Sequence, residues 1–160
     1  MTSRFLAACL AACVLAGCAG IAQNTPPGTA REQVLQNLGK PTATYPLPAG
    51  TRLQYSGQPS GRQVYNIDLD AAGKVVAVTQ MMQPGVLNRF AGGGVTAADL
   101  QRDIGPPAMV GKVYHFPGNV WTWRWEEMGI PRLFHAYVNP QGMVERALST
   151  DEPIRPWVSD

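Results

Sequence analysis

The chain has 160 residues, 13 of them Lys or Arg and 11 of them Asp or Glu, which gives a formal net charge of +2. By length this is one domain, and a charge so close to zero argues against a nucleic-acid partner, which requires a strongly basic face. The 17 glycines and 14 prolines favour short strands and many turns over long helices.

The N-terminal segment, residues 1–17, has the pattern of a secretory signal peptide. A single positive charge, Arg4, precedes an apolar run from Phe5 to Leu15, and small residues follow that run. The run has eleven residues, whereas a helix that spans a bilayer needs about twenty. A cleaved signal is therefore favoured over the alternative, an uncleaved transmembrane anchor.

The residues that end this segment, Leu15-Ala16-Gly17-Cys18, resemble the lipobox of bacterial lipoproteins. The resemblance implies that the signal is cut before Cys18, that its thiol carries a diacylglycerol and that its new amine is acylated, for example with palmitate. Cys9 and Cys13 leave with the signal, so the mature chain has no free thiol and no disulfide, although its compartment would be oxidising. We expect no cofactor beyond this covalent lipid and no bound metal.

Residues 18–27 are predicted to form a lipidated tether. The nine residues from Ala19 to Pro27 are small or polar, carry no charge and end in two prolines. Fully extended, they reach about 30 Å. Such a tether would hold a folded domain near the membrane and leave it free to turn.

An internal repeat determines the predicted fold. A helix pattern from Arg31 to Leu38 recurs sixty-six residues later from Ala97 to Ile104. We expect Thr29 and Thr96 to cap the N-termini of these helices, since each has an acidic residue three positions on, and a Gly-x-Pro sequence ends each helix. Helices of under three turns are not stable alone, so each must pack against a sheet.

Three strands are predicted after each helix, because apolar segments recur in the same order. The predicted strands of the first and second unit are Leu53–Tyr55 and Trp121–Trp123, Tyr65–Leu69 and Phe134–Val138, and Val75–Thr79 and Val144–Leu148. The preceding segments, Tyr45–Pro48 and Tyr114–Pro117, are predicted loops. Tight turns at Asp70–Gly73 and Asn139–Gly142 join the last two strands of each unit, since Asp or Asn at the first position bonds the backbone beyond it.

The predicted fold class is therefore α+β, with two tandem units that each place a helix on a three-stranded antiparallel sheet. The fold follows the cleaved lipoprotein signal peptide. The predicted divisions are the signal peptide 1–17, the tether 18–27, the first unit 28–82, a flexible glycine-rich linker 83–93, the second unit 94–150 and a C-terminal tail 151–160.

The motifs of the first unit resemble the BamE (SmpA/OmlA) family of outer-membrane lipoproteins. They are Leu38-Gly39-x-Pro41, Leu53-x-Tyr55 and Asp70-x-x-Gly73, and the second unit fits more loosely. As a tandem pair, the units resemble the β-lactamase inhibitor protein, in which two sheets form one concave binding surface. The resemblance implies an outer-membrane lipoprotein that faces the periplasm and binds a partner lipoprotein and anionic lipid without catalysis. Ala19, in place of an Asp after the lipidated cysteine, also favours the outer membrane.

Three tryptophans are the candidate partner-binding residues. Trp121, Trp123 and Trp125 alternate along one predicted strand, so their side chains share one face. One interpretation is an aromatic platform for a protein partner, because tryptophan is enriched in binding hot spots. The other is that Trp121 and Trp123 cover the helix of their own unit as core residues. Trp125, at the end of the strand, is expected to be the most exposed of the three.

No catalytic constellation is visible in the sequence. Nucleophile elbow, phosphate loop and zinc motif are all absent, and the two histidines, His115 and His135, have no partners at metal-ligand spacing. We therefore expect a protein that is not an enzyme, whose partners are the membrane, through the lipid, and a protein of the cell envelope. The first hypothesis is a binding or scaffold lipoprotein in outer-membrane protein assembly or envelope maintenance. The alternative is an inhibitor-like module that clamps a periplasmic enzyme, and a hydrolase is a disfavoured third.

Overall fold

The computed structural model describes residues 22–153. The predicted signal peptide, the lipidation residue Cys18 and the last residues of the C-terminal tail lie outside this range. The helices are α1 (Arg31–Leu38), α2 (Pro84–Leu87) and α3 (Ala97–Ile104), with a 3-10 segment at Asn88–Phe90, and the strands are β1 (Ala43–Leu47), β2 (Gly50–Ser56), β3 (Val64–Asp70), β4 (Val75–Gln80), β5 (Met109–Gly111), β6 (Asn119–Glu127), β7 (Ile130–Val138) and β8 (Val144–Asp151).

The eight strands form two four-stranded antiparallel meanders. The first sheet has the order β1-β2-β3-β4 and the second the order β5-β6-β7-β8. The fold is α+β, but the prediction of three strands per unit is wrong, because β1 and β5 were missed. Strand β1 contains Pro46, which an edge strand tolerates because one side of its backbone does not join the ladder, and β5 has only three residues.

The two halves of the chain repeat the same hydrogen bonds as well as the same order of elements. Gly39 N–H donates to Leu35 C=O, and Gly105 N–H donates to Gln101 C=O, each at 2.9 Å. The predicted turns are also confirmed. Asp70 accepts the N–H groups of Ala72 and Lys74 at 2.9 and 2.8 Å, and its counterpart Asn139 accepts two N–H groups beyond it in the same way.

The two helix N-termini differ. Thr96 caps α3 in a capping box, in which its hydroxyl accepts from Asp99 N–H at 3.0 Å and Asp99 accepts from Thr96 N–H at 3.2 Å. The prediction that Thr29 caps α1 is wrong, because the cap position is Ala30. The Thr29 hydroxyl instead donates to Pro26 C=O at 2.7 Å and closes the preceding turn.

The layers follow the order α1, first sheet, α3, second sheet. Val34 and Leu38 of α1 share an apolar cluster with one face of the first sheet. Leu100 and Ile104 of α3 share a second cluster with the Trp123 face of the second sheet. Helix α3 therefore lies between the two sheets, and its buried face packs on and stabilises the second sheet.

A polar junction joins the units where the C-terminus of α3 meets the other face of the first sheet. Gln54 Nε2 donates to the carbonyls of Gln101 and Arg102 at 3.2 and 3.1 Å, and Asn66 Nδ2 donates to the Asp103 carbonyl at 2.8 Å. The last carbonyls of a helix lack partners within it, and these two amides bond three carbonyls at this end of α3, of which that of Gln101 also accepts from Gly105 N–H. Gln54 and Asn66 are both buried for this reason.

The linker 83–93 and the described part of the tether are packed, contrary to the sequence expectation. Leu87 and Phe90 are buried in the second cluster, because the segment forms α2 and a 3-10 turn that bring both side chains inward. Ala22 is buried in the first cluster, and Tyr65 Oη donates to Gln23 Oε1 at 3.3 Å. Gly28 N–H, at the start of the predicted first unit, then donates to Val75 C=O at 2.7 Å, so the chain is attached to the fold at both ends of residues 22–27 and the expected free tether does not extend over them.

The tight turn between β6 and β7 gives a first testable prediction. Met128 and Gly129 both have positive φ, at 52° and 83°, the conformation of a two-residue hairpin turn that favours Asn-Gly. Because the left-handed region costs most residues about 1–2 kcal/mol and Asn less, Met128→Asn should raise the free energy of unfolding by about 1 kcal/mol. Urea titration measures this, with Met128→Leu as the matched control. An Asn variant no more stable than the Leu variant would contradict the strain argument.

Candidate functional site

The predicted lipidation residue, Cys18, lies four positions before Ala22, the first described residue. Within residues 22–153, none of the helices combines the length and the apolar character that crossing a bilayer requires.

The three tryptophans lie on one face of β6, but two of them are core residues. Trp123 is 0% exposed, and its indole N–H donates to Gly105 C=O at 3.0 Å. Its ring centroid lies 6.0 Å from that of Phe134 and 6.2 Å from that of Trp121. Trp121 is only partly buried at the edge of this cluster.

The expectation that Trp125 is exposed is wrong. It is 2% exposed because it belongs to the second apolar cluster, and the Arg132 guanidinium lies 5.9 Å from the centroid of its ring. Arg132 is itself held by Glu127 and Asp151 at 3.4 and 3.1 Å. Trp125 is therefore covered in this structure and offers no surface to a partner.

His135 is bonded on both sides of its ring within the second sheet. His135 lies between Thr122 Oγ1, 2.9 Å from its Nδ1, and Thr150 Oγ1, 3.0 Å from its Nε2. Burial lowers the pKa of His135 below its ordinary value, so the ring is neutral at pH 7 and joins three strands. Over residues 22–153, no group of three His, Cys, Asp or Glu side chains stands at metal-binding distance.

Exposed apolar side chains are concentrated in the second unit. Among the described residues, seven of the eight large apolar side chains that are exposed belong to it, and Val76 is the exception. Four of the seven fall within six consecutive residues: Met109, Val110, Val113 and Tyr114. These four are the β5 patch. Tyr114 alone is 88% exposed, and Met109 and Val110 are each more than half exposed.

The β5 patch surrounds an edge strand. Met109 pairs with Thr122 and Val110 with Trp121, so the two side chains project from opposite faces of the sheet. On the Met109 face the neighbouring strands carry Leu148 and Tyr137. The Arg146 guanidinium lies 4.1 Å from the Tyr137 ring centroid, a cation–π contact. The patch therefore offers apolar side chains, an aromatic–cation pair and a strand edge together.

The sequence analysis missed this patch. Its apolar residues are few and β5 is too short to be recognised as a strand, so the segment was assigned no role. An available signal was the order Met109-Val110-Gly111-Lys112-Val113-Tyr114, which is apolar without the spacing of a helix. The exposure results from the position of β5 at the edge of its sheet, which periodicity does not reveal.

A cleft of about 570 Å³ opens at the end of the first sheet where β2 ends and β3 begins. Tyr55 and Tyr65 line it together with Ala22, Arg62 and Glu126. Burial raises the pKa of both tyrosines, so their phenols remain protonated at neutral pH. Both hydroxyls donate within the fold, Tyr55 to Gly39 C=O at 3.1 Å and Tyr65 to Gln23. These groups therefore hold the structure together and are poorly placed as a base or nucleophile.

The two units also meet beside this cleft. Arg124 N–H donates to Gln58 Oε1 at 3.2 Å, and Gln58 Nε2 donates to Arg124 C=O at 2.6 Å. Glu152 bonds Arg62 of the first unit at 2.7 Å and Arg124 of the second. Because these contacts add to the junction at α3, the two units are held at two separate places.

Glu152 gives a prediction for the pH dependence of stability. Burial raises its pKa, but the hydrogen bonds and charges of Arg124 and Arg62 outweigh burial, so the pKa lies below the ordinary value of 4.5. A carboxylate with a lowered pKa stabilises the fold fully above its unfolded pKa, and this contribution is lost as the pH falls through the folded pKa. Glu152→Gln should therefore cost about 1 kcal/mol at pH 7. In denaturant titrations, the difference from the parent should begin to shrink as the pH falls below about 4.5 and should disappear once the pH is below the lowered folded pKa, and a difference that stays constant would contradict this role.

Comparisons with known proteins add little to this description. No protein-family model matches the chain, and no curated protein matches it. A solved structure, that of a DUF4309 family protein (YjgB) from Bacillus subtilis subsp. subtilis str. 168, is similar over 78% of this chain and 79% of its own. The sequence identity is 16% and the TM-score is 0.32. A TM-score at this level does not establish a shared fold.

Proposed function

We propose that the protein is a lipid-anchored binding protein of the outer membrane that faces the periplasm and holds a protein partner through the β5 patch. The observation that carries the proposal is the concentration of exposed apolar side chains at Met109–Tyr114. Exposed apolar side chains that gather around one strand edge mark a candidate interaction site, whereas single exposed apolar residues need no explanation.

The composition of the patch suits a protein partner. Tyr114 offers a large aromatic surface with a polar end, the type of side chain that is enriched in hot spots. Strand β5 is the edge of its sheet, and a free strand edge accepts an added strand from a partner through backbone hydrogen bonds. Met109 and Val110 would then contact that strand on both faces of the sheet.

The resemblance to the BamE family suggests where such a partner is found. The proposed role is scaffolding in outer-membrane protein assembly or envelope maintenance, without catalysis. The lipobox resemblance at Cys18 supports the anchor, and the tyrosines of the cleft, which are protonated and bonded within the fold, give no support to a hydrolase.

A second candidate is an inhibitor-like module that clamps a periplasmic enzyme. The fixed junction between the units favours it, because Gln54 and Asn66 hold the end of α3 while Gln58 holds the edge of β6. A clamp needs two surfaces that are set in place before binding, since rigidity reduces the entropy lost on association.

Affinity purification from solubilised envelopes tests the proposal and separates the two candidates. The double variant Val110→Ser, Tyr114→Ser should recover at least tenfold less partner than the parent, because loss of one hot spot costs about 2 kcal/mol or more. Val76→Ser is the matched control, since Val76 is equally apolar and 56% exposed but lies in the first unit. Recovery of barrel-assembly subunits supports the first candidate and recovery of one soluble periplasmic enzyme the second. Equal recovery by both variants would contradict a role for the patch.

A further inference from the structure

We infer that the protein lies on its membrane in one orientation, with the β6–β7 turn against the lipid surface and the β5 patch directed away from it. This inference rests on the lipid anchor of the proposed function. It adds the surface that meets the bilayer and the direction in which a partner is held.

The anchor is short compared with the width of the folded body. Because Ala22 is buried and Gln23 is bonded to Tyr65, the fold holds the chain from residue 22 onward. The four residue-to-residue steps from Cys18 to Ala22 span about 14 Å at most. A folded body of this chain length has a radius of gyration of about 14 Å and a diameter of about 36 Å. The anchor is therefore less than half as long as the body is wide, and most of the surface cannot reach the membrane.

One end of the molecule lies close enough to the start of the described chain to reach the membrane. Ala22 lines the same cleft as Glu126, which lies two residues before Met128 in the β6–β7 turn. The β2–β3 loop, through Gln58, bonds the neighbouring Arg124. The start of the described chain, the β2–β3 loop and the β6–β7 turn therefore lie at one end of the fold, which we call the anchor end.

The β6–β7 turn at this end exposes apolar side chains. Met128 is 98% exposed and Ile130 is 55% exposed, so the tip presents two apolar side chains to its surroundings. Met128 has a left-handed backbone that suits Asn or Gly better than Met. Neither folding nor turn formation requires an apolar side chain at this position. Contact with a lipid surface explains one, because shallow burial of apolar side chains at the boundary between headgroups and acyl chains is favourable.

The orientation places the Tyr114 end of the β5 patch farthest from the membrane, while Met109 and Val110 pair with Thr122 and Trp121 nearer the middle of β6. Strand β6 has nine residues and spans about 30 Å between its two ends. The β6–β7 turn follows one end, and the β5–β6 loop with Tyr114 precedes the other. With the anchor end on the membrane, the patch faces the aqueous side, where a protein partner has access to it.

Site-specific fluorescence quenching tests this orientation. The mature chain carries no thiol besides the acylated Cys18, so Met128→Cys and Gln141→Cys can each be labelled at one place with an environment-sensitive fluorophore. Gln141 is exposed in the β7–β8 turn, at the end of β7 opposite Ile130. In phosphatidylcholine vesicles that carry a quencher on their acyl chains, the lipid-bearing protein labelled at Met128 should be blue-shifted and quenched at least threefold more than the protein labelled at Gln141.

The controls separate the anchor from the orientation. A Gly-Ser insertion of about ten residues after Ala19 lengthens the reach to about 50 Å and should reduce the difference between the two labels, leaving only the attraction of the apolar turn itself. A difference that the insertion leaves unchanged overturns the argument from the short anchor. If the protein floats with the vesicles in a density gradient but both labels are quenched equally, the orientation is wrong and the lipid anchor is not. If the protein does not float with the vesicles, the lipid anchor is wrong as well.

Discussion

Replacing Trp123 with alanine should destabilise the fold by about 3–5 kcal/mol, the cost of removing a fully buried tryptophan. Trp123 is 0% exposed, packs against Phe134 and bonds the carbonyl that follows α3, so its loss opens the core between α3 and the second sheet. A domain of ordinary stability has about 5–15 kcal/mol in total. The variant should therefore unfold at a much lower urea concentration than the parent and be partly unfolded at 37 °C if the parent is marginal.

The matched control is Trp121→Ala. Trp121 lies on the same face of the same strand but is only partly buried at the margin of the cluster. Since partial burial leaves less apolar area to lose, its truncation should cost about 1–2 kcal/mol. Equal costs for the two variants, measured as free energies of unfolding in urea, would contradict the assignment of Trp123 to the core and reopen the hypothesis of a binding platform.

Replacing residues 1–18 with an ordinary cleavable secretory signal should move the protein from the membrane fraction to the soluble periplasm almost completely. One acyl chain binds a bilayer only marginally, two hold a protein stably, and each buried CH₂ contributes about 0.8 kcal/mol. Removal of all the lipid leaves no comparable attachment, because the two apolar residues at the β6–β7 turn bury far less surface than an acyl chain. Fractionation of cells that express each form measures the change.

The same fractionation contains its own control. The lipid-free form should retain its folded spectrum and its partner affinity, because Cys18 lies outside residues 22–153 and the core has its own stabilising contacts. If the form without Cys18 remains in the membrane fraction even when Val110→Ser and Tyr114→Ser remove its binding to a membrane-bound partner, the anchor is not the lipid and the lipoprotein interpretation is wrong.

Local signals predicted the repeated hairpins well. Tyr65, Ile67 and Leu69 alternate with polar residues, and Asp70 ends the strand with a side chain that bonds its own turn. Each of these signals depends on residues within a few positions of one another. Strand β1 was missed because Pro46 reads as a loop, although at a sheet edge it removes no ladder bond.

Long-range packing was less accessible from the sequence. Gln54 and Asn66 are polar residues within strands, yet both are buried because they bond carbonyls at the end of α3 that lie 48 and 37 residues away along the chain. Trp125 was expected at the surface because it stands near the end of its strand. It is covered by Arg132, its cross-strand partner, which depends on the register of β6 and β7.

The candidate site also has one part that local sequence signals predict and one part that depends on long-range packing. Cys18 could be proposed from four adjacent residues, because the lipobox is a local motif. The β5 patch could not, since its exposure results from an edge strand that no other described strand covers. The direction of the patch relative to the membrane depends in addition on where Ala22 is buried, which only the folded chain reveals.

Photocrosslinking in the intact cell envelope tests the central claim most directly. A photoreactive residue at position 114 should give one discrete adduct with an envelope protein, identified by mass spectrometry, because Tyr114 is the most exposed residue of the β5 patch. The same residue at position 76, in the first unit, should give none. If position 114 yields no adduct, or if both positions yield the same one, the protein does not hold a partner through this patch.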